Sequence, residues 1–153
     1  QSEQNWKAGE RDGPSNDWYE SGQKQSEATR KKGSNVVLLT GWHENGQKSS
    51  ETLSRGGKTV GVSRSWHENG QKESETTYNI DGQEYGLATR WYKNGQKERE
   101  GTYKDGKKDG LRTRWHENGQ KWAEGTYKDG EKISDKYWNS KGEEVDSWTE
   151  TYD

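Results

Sequence analysis

Cysteine, methionine and phenylalanine are absent from this 153-residue chain, and proline occurs once, at Pro14. Without cysteine there is neither a disulfide framework nor a cysteine-ligated zinc site. Val, Leu and Ile together number 12, within a hydrophobic fraction of only 22%, so an ordinary aliphatic core is excluded. Such poverty combined with a large net charge would indicate disorder. Here 25 Lys and Arg face 27 Asp and Glu for a net charge of -2. Charges so balanced and interspersed leave no electrostatic footprint for nucleic acid. Apolar runs are short too: the longest is VVLL, Val36 to Leu39, against roughly 18 residues for a membrane span. No transmembrane segment, cofactor site or small-molecule site is expected. The lack of any Met and the opening at Gln1 suggest a processed, exported chain, and hence an extracellular or cell-surface location; a fragment is the alternative.

What is present is aromatic and periodic. Of the 33 hydrophobic residues 17 are Trp or Tyr, and Gly occurs 20 times. The string WHENGQK appears three times, opening at Trp42, Trp66 and Trp115. Aligned on Trp18, Trp42, Trp66, Trp91, Trp115 and Trp138, the chain divides into about six units of roughly 24 residues, the signature of a repeat array. Four residues after each Trp stands a turn glycine: Gly22, Gly46, Gly70, Gly95, Gly119 and Gly142. Glu27, Glu51, Glu75, Glu100 and Glu124 recur nine residues after Trp, and Tyr78, Tyr103 and Tyr127 recur twelve after it. A second glycine, as Asp-Gly at Gly82, Gly106 and Gly130, precedes the next Trp. Asn-Gly and Asp-Gly tolerate the positive φ of tight hairpin turns, and residues 110–119 alternate Leu111, Thr113 and Trp115 with Arg112, Arg114 and His116, the period of a strand. The fold class is therefore all-β: an elongated antiparallel meander of eleven or twelve short strands in about six 24-residue β-hairpin repeats. Residues 1–17 are expected to cap the N-terminus, 18–137 to form the repeats, and 138–153 to form a divergent last repeat and C-terminal cap.

The blocks WHENGQKWAEGTYKDGEK and WYKNGQKEREGTYKDGKKDGLRTRWHENGQK resemble MORN repeats, in particular the bacterial MORN variant of the YwqK-type antitoxin family. The resemblance runs from about Trp18 to Asp146 and is closest between Trp66 and Gly130. It implies a row of β-hairpins in one long sheet, a scaffolding or binding role, and no catalytic residues. At the closing segment KYWNSKGEEVDSW it also implies that Tyr137 and Ser147 stand where relatives carry a disulfide.

Each WHENGQK carries a His-Glu pair, which could mean a metal or a general base. Equivalent positions in successive repeats lie two strands apart, on the order of 9 to 10 Å, while two imidazoles on one zinc need nitrogens within roughly 3 to 4 Å. His43, His67 and His116 also alternate with Tyr19, Tyr92 and Asn139 at the same position. The pair therefore reads as exposed architecture before a turn, with no catalytic and no metal-binding residues. The Trp and Tyr ladder is expected to form the core, with a glycan-binding stripe as its competing use. The Glu ladder is expected to pair with Arg90, Arg112 or Arg114 on neighbouring strands. Trp122 occupies a position that is Glu73 or Glu98 in sister repeats; strand alternation places it on the face opposite Tyr127, exposed, as a contact candidate. The aromatic closing segment adds Tyr137, Trp148 and Tyr152. These residues point to a non-enzymatic repeat scaffold or protein-interaction module, exported and self-assembling end to end through sheet edges. One alternative is an antitoxin or immunity-type protein neutralising a toxin in the cytoplasm; another is a glycan-binding surface protein. The expected partner is another protein or a second copy of the chain.

Overall fold

The structure, a computed structural model, describes residues 14–30, 33–147 and 149, together with the backbone of Ser2, Glu3, Trp6, Lys7, Glu10 and Arg11. Trp148 and Tyr152, and with them most of the closing aromatic segment, lie outside the described residues. Eleven strands form a continuous meander: β4 (Ser15–Trp18), β5 (Lys24–Arg30), β6 (Val36–Trp42), β7 (Lys48–Arg55), β8 (Lys58–Trp66), β9 (Lys72–Tyr78), β10 (Glu84–Trp91), β11 (Lys97–Lys104), β12 (Lys107–Trp115), β13 (Lys121–Lys128) and β14 (Glu131–Trp138). Two-residue strands β1 (Ser2–Glu3) and β15 (Glu144–Val145) complete a 13-stranded sheet at its two edges, and β2 (Trp6–Lys7) pairs separately with β3 (Glu10–Arg11). Every neighbouring pair is antiparallel and, from β4 to β15, consecutive in sequence. The expected all-β hairpin array is thus present, with no α-helix among the described residues.

The turn chemistry explains the meander. In the Asn-Gly turns the His43 N–H donates to the Gln47 carbonyl at 2.8 Å and the Gly46 N–H to the His43 carbonyl at 2.9 Å, with Gly46 at φ 83°. Asp105 and Gly106 both take positive φ, at 49° and 79°, and close a two-residue hairpin between the paired Lys104 and Lys107. Each of five ladder Trp residues then ends its strand at a β-bulge. The register slips between Asp17 and Trp18, Gly41 and Trp42, Ser65 and Trp66, Arg90 and Trp91, and Arg114 and Trp115. In the last case Arg114 faces Ala123 and Trp115 faces Lys121, which leaves Trp122 as the extra residue. A bulged residue breaks strict alternation and re-aims its side chain.

The sheet is a single layer. Its accessible surface is 9892 Å², against roughly 7,900 Å² for a compact monomer of 17.6 kDa. Ala123 is the one fully buried apolar side chain among the described residues, joined by Thr89, Thr113 and Asn139. The aromatic ladder does not form a closed core: Trp18, Trp42, Trp66, Trp91, Trp115 and Trp138, like Tyr78, Tyr103 and Tyr127, are half-buried. The described residues supply no second layer to cover them, and the rings are covered from within the sheet, by side chains of adjacent repeats.

Candidate functional site

One face of the sheet is occupied by the repeat motif itself. Five lysines that open a strand place their ammonium over the Trp of the following repeat: Lys24 over Trp42 at 5.3 Å, Lys48 over Trp66 at 5.4 Å, Lys72 over Trp91 at 5.1 Å, Lys97 over Trp115 at 5.7 Å and Lys121 over Trp138 at 5.1 Å. The same ammonium groups bind the Glu three residues on, from Lys24 to Glu27 at 2.6 Å through Lys121 to Glu124 at 2.5 Å. The Glu ladder is therefore neutralised mainly by its own strand's lysines. Arg64 is the arginine that joins it, at 2.8 Å from Glu75; the expected pairing with Arg90, Arg112 or Arg114 does not occur, because those side chains project from the other face.

Two of the three WHENGQK histidines show this coupling. His43 Nε2 bonds to the Trp66 carbonyl at 2.7 Å and His67 Nε2 to the Trp91 carbonyl at 2.9 Å. A carbonyl only accepts, so Nε2 carries the proton. Tyr19 and Tyr92 donate their hydroxyls to the carbonyls of Trp42 and Trp115 at 2.9 and 2.7 Å. This explains why Tyr replaces His at one position: both reach across one strand with a donor at the tip. The residues are half-buried, not exposed as their place before a turn suggested. Asn45, Asn69 and Asn94 work beside them, each accepting from an amide of its own turn and donating to the backbone of the next turn at 2.7 to 2.8 Å. Gln71 in turn lies where a Cβ on Gly95 would sit 2.6 Å from its Oε1. Trp, His, Asn, Gly, Gln and Lys of WHENGQK each have a defined task in holding one repeat to the next, while Glu44, Glu68 and Glu117 are exposed.

The opposite face is different near the C-terminal end. A groove of about 200 Å³ lies there, lined by Arg112, Arg114, Trp122, Tyr127 and Tyr137, with Ala123 and Gly125 at its floor and Glu124, Lys132 and Asp135 also in its wall. Trp122 and Tyr127 thus share a face, contrary to the alternation argument, because the bulge at Arg114/Trp115 turns Trp122 over. Trp122 is also half-buried rather than exposed: the Arg114 guanidinium lies 5.1 Å from its ring and the His116 ring 6.3 Å away. Of the four interaction residues marked in the sequence, Trp122 and Tyr137 meet in this groove; Trp148 and Tyr152 are not described. Tyr137 donates to Asp135 at 2.6 Å, which raises its pKa, while Lys132 and then Tyr137 hold the Asp135 carboxyl below its ordinary value.

Sequence reasoning names Arg112 and Arg114 only as partners of the Glu ladder, and it marks neither them nor Arg99, which lines the adjoining hollow with Arg112, as a binding set. Their signal is a departure from the repeat. Arg99 stands where sister units carry Ser26, Ser50 and Ser74, and Arg112 where they carry Leu39, Ser63 and Ala88. The glutamates that neutralise Arg90, Glu73 at 3.2 Å and Glu98 at 3.1 Å, have Trp122 as their counterpart beside Arg114. Burial, and after it the charge of Arg112, lowers the pKa of Arg114.

Comparison with known proteins agrees with the repeat geometry. A family described as MORN repeat variant matches residues 59–79, 84–105 and 108–129, three consecutive hairpin units, and MORN-type β repeats are typically non-catalytic. No curated protein matches the chain. Among solved structures the chain is similar to one titled "Crystal Structure of TarM", with 10% identity and a TM-score of 0.42 over 66% of this chain and 19% of that one. It is also similar to an S. aureus TarM mutant in complex with Fondaparinux, alpha-GlcNAc-glycerol and UDP, with 8% identity and a TM-score of 0.44 over 71% of this chain and 21% of the other. The chain spans about a fifth of the length of these two proteins.

Proposed function

We propose that the chain is a non-enzymatic repeat scaffold that holds a protein partner in the groove formed by β12, β13 and β14, with repeats over residues 18–137 between an N-terminal cap over 1–17 and a divergent last repeat and C-terminal cap over 138–153. The observation that carries this reading is the contrast between the two faces. On the ladder face the ladder glutamates and lysines pair with each other and five of the ladder rings lie under ammonium groups, so little there is left to bind. On the other face Trp122, Tyr127 and Tyr137 surround arginines, and Trp, Tyr and Arg are the residues that dominate protein interfaces. A toxin as the partner, the antitoxin reading, would use this same groove. A glycan would need the ladder rings, which the lysines already cover. End-to-end self-assembly draws support from the outer edge of β14, since β15 pairs only with Tyr137 and Trp138 and Ile133 is 65% exposed. Glu131, Lys132, Asp135 and Lys136 along that strand are charges that oppose such edge pairing, which supports a different protein over a second copy as the partner.

Photo-crosslinking tests the reading. Benzoylphenylalanine at position 122, in cells that make the chain, is expected to give a discrete protein adduct, and the same group in place of Thr126 on the ladder face is expected to give none. Adducts from both positions alike, or from position 126 alone, contradict it.

A further inference from the structure

The groove poses an electrostatic problem that the chain does not solve for itself. Arg90 faces Arg99 across β10 and β11, and Arg99 faces Arg114 across β11 and β12. Like charges directly opposite one another in a sheet are destabilising. Arg90 is relieved by Glu73 and Glu98. Among the described residues no carboxylate forms an ion pair with Arg99, Arg112 or Arg114. Of the two acids that line the groove, Asp135 is committed to Lys132 and Tyr137 and Glu124 to Lys121. Arg112 meanwhile lies between Gly101 and Gly125 on its two neighbouring strands, where sister repeats have Ala28, Thr52 and Thr76. Neither glycine has a positive φ, so the backbone does not require them. A glycine inside a strand marks a bulge or a close approach of another group; Gly101 has both, since the register shifts between Gly101 and Tyr103 and a Cβ there would press on Arg112 Cγ at 3.2 Å. At Gly125 a Cβ would instead meet the Ser134 carbonyl at 3.0 Å and the Tyr127 ring at 3.3 Å, so the first glycine makes room for the Arg112 stem and the second for the Tyr127 ring.

We propose that Arg99, Arg112 and Arg114 receive the carboxylates of an acidic, extended segment of a partner protein, whose intervening side chains pack on Trp122, Tyr127 and Tyr137. This deepens the reading of the groove as the partner site and rests on it. Three features select this ligand class. The guanidinium fork matches a carboxylate in a bidentate pair. Arg112 and Arg114 are two residues apart on β12, about 6.6 Å along the strand, which is the spacing of alternate side chains in an extended peptide. The volume, about 200 Å³, is below the roughly 300 to 1,000 Å³ of a small-molecule site and suits one or two side chains. Polyanions with no apolar component leave the three aromatic rings unused, and the carboxylates spread over the rest of a chain of net charge -2 repel a long one.

The test uses the full chain and fluorescence anisotropy with a fluorescein-labelled peptide in which Glu alternates with Tyr. Its controls are the same peptide with Gln for Glu, inorganic phosphate as competitor, and phosphatidylserine vesicles. The Glu peptide is expected to bind roughly tenfold or more tightly than the Gln peptide. Arg112→Gln with Arg114→Gln is expected to remove that difference, while Lys58→Gln, which deletes a charge at a distant turn, is expected to retain it. Because the arginines repel one another, the double variant is expected to melt no lower than the wild type, so lost binding is not lost folding. Equal affinity for the two peptides, equal loss in Lys58→Gln, or binding to vesicles with none to the peptide overturns the proposal. A crosslinked adduct at position 122 together with no preference for the Glu peptide overturns the acidic-segment proposal alone and leaves the scaffold reading standing.

Discussion

His67 offers the sharpest perturbation of the repeat coupling, because one position separates the ring from the hydrogen bond it carries. Its Nε2–H reaches the Trp91 carbonyl at 2.9 Å, and Tyr92 one repeat later makes the same bond to Trp115 with a hydroxyl at 2.7 Å. His67→Tyr keeps a ring and a donor; His67→Phe keeps the ring alone. A neutral hydrogen bond contributes roughly 0.5 to 1.5 kcal/mol net. The site is half-buried, so water partly satisfies the orphaned carbonyl and the loss falls near the middle, about 1 kcal/mol. For a chain of this size that corresponds to a melting temperature about 2 to 4 °C lower. Urea denaturation followed by β-sheet circular dichroism is the assay. His67→Tyr is expected to match the wild type within a few tenths of a kcal/mol, and so is replacement of His43, His67 and His116 together by Tyr. If Tyr is as damaging as Phe, or if Phe costs nothing, the inter-repeat bond is not what the position is for.

The other perturbations follow the same geometry. Trp91→Ala removes a half-buried ring and the seat of Lys72, so it is expected to cost about 2 kcal/mol, below the roughly 3 to 5 of a fully buried aromatic; a loss in that higher range by urea titration would mean a closed core. Gly95→Ala forces a non-glycine residue to φ 83°, a strain of about 1 to 2 kcal/mol, while Gln71 can swing aside; an unchanged midpoint would contradict the turn assignment. Arg64, and after it Lys72, hold the Glu75 carboxyl below its ordinary 4.5. A depressed folded value means that the pairing stabilises above that pH and is lost as pH falls through the folded value. Stability measured against pH is therefore expected to drop in acid, and Glu75→Gln to flatten part of that drop; an identical profile in the variant would remove Glu75 from the cause.

Much of the fold was legible because the repeat writes the same hairpin several times. Asn-Gly and Asp-Gly fix the turns, and the ladder Trp residues mark strand ends. What alternation could not show was the bulge. One extra residue per hairpin, at Glu73, Glu98 and Trp122, turns that side chain over, and so Trp122 was assigned to the wrong face. Burial was also misjudged, since a count of aromatic residues does not reveal whether a second layer exists to cover them. The His position looked exposed because its partner, a carbonyl one repeat later, has no sequence signature. The arginines were readable in principle, as misfits among Ser, Ala and Leu at equivalent positions, but only the structure aligns those misfits across three neighbouring strands.

The division of labour between the two faces can be read from the indole N–H signals of the Trp residues in a ¹H–¹⁵N spectrum. On adding the alternating Glu–Tyr peptide, the Trp122 signal is expected to shift, while those of Trp42, Trp66, Trp91, Trp115 and Trp138, each under a lysine, are expected to stay in place. Shifts among the ladder indoles with Trp122 unmoved would put the binding surface on the opposite face and contradict the assignment of function to the arginine groove.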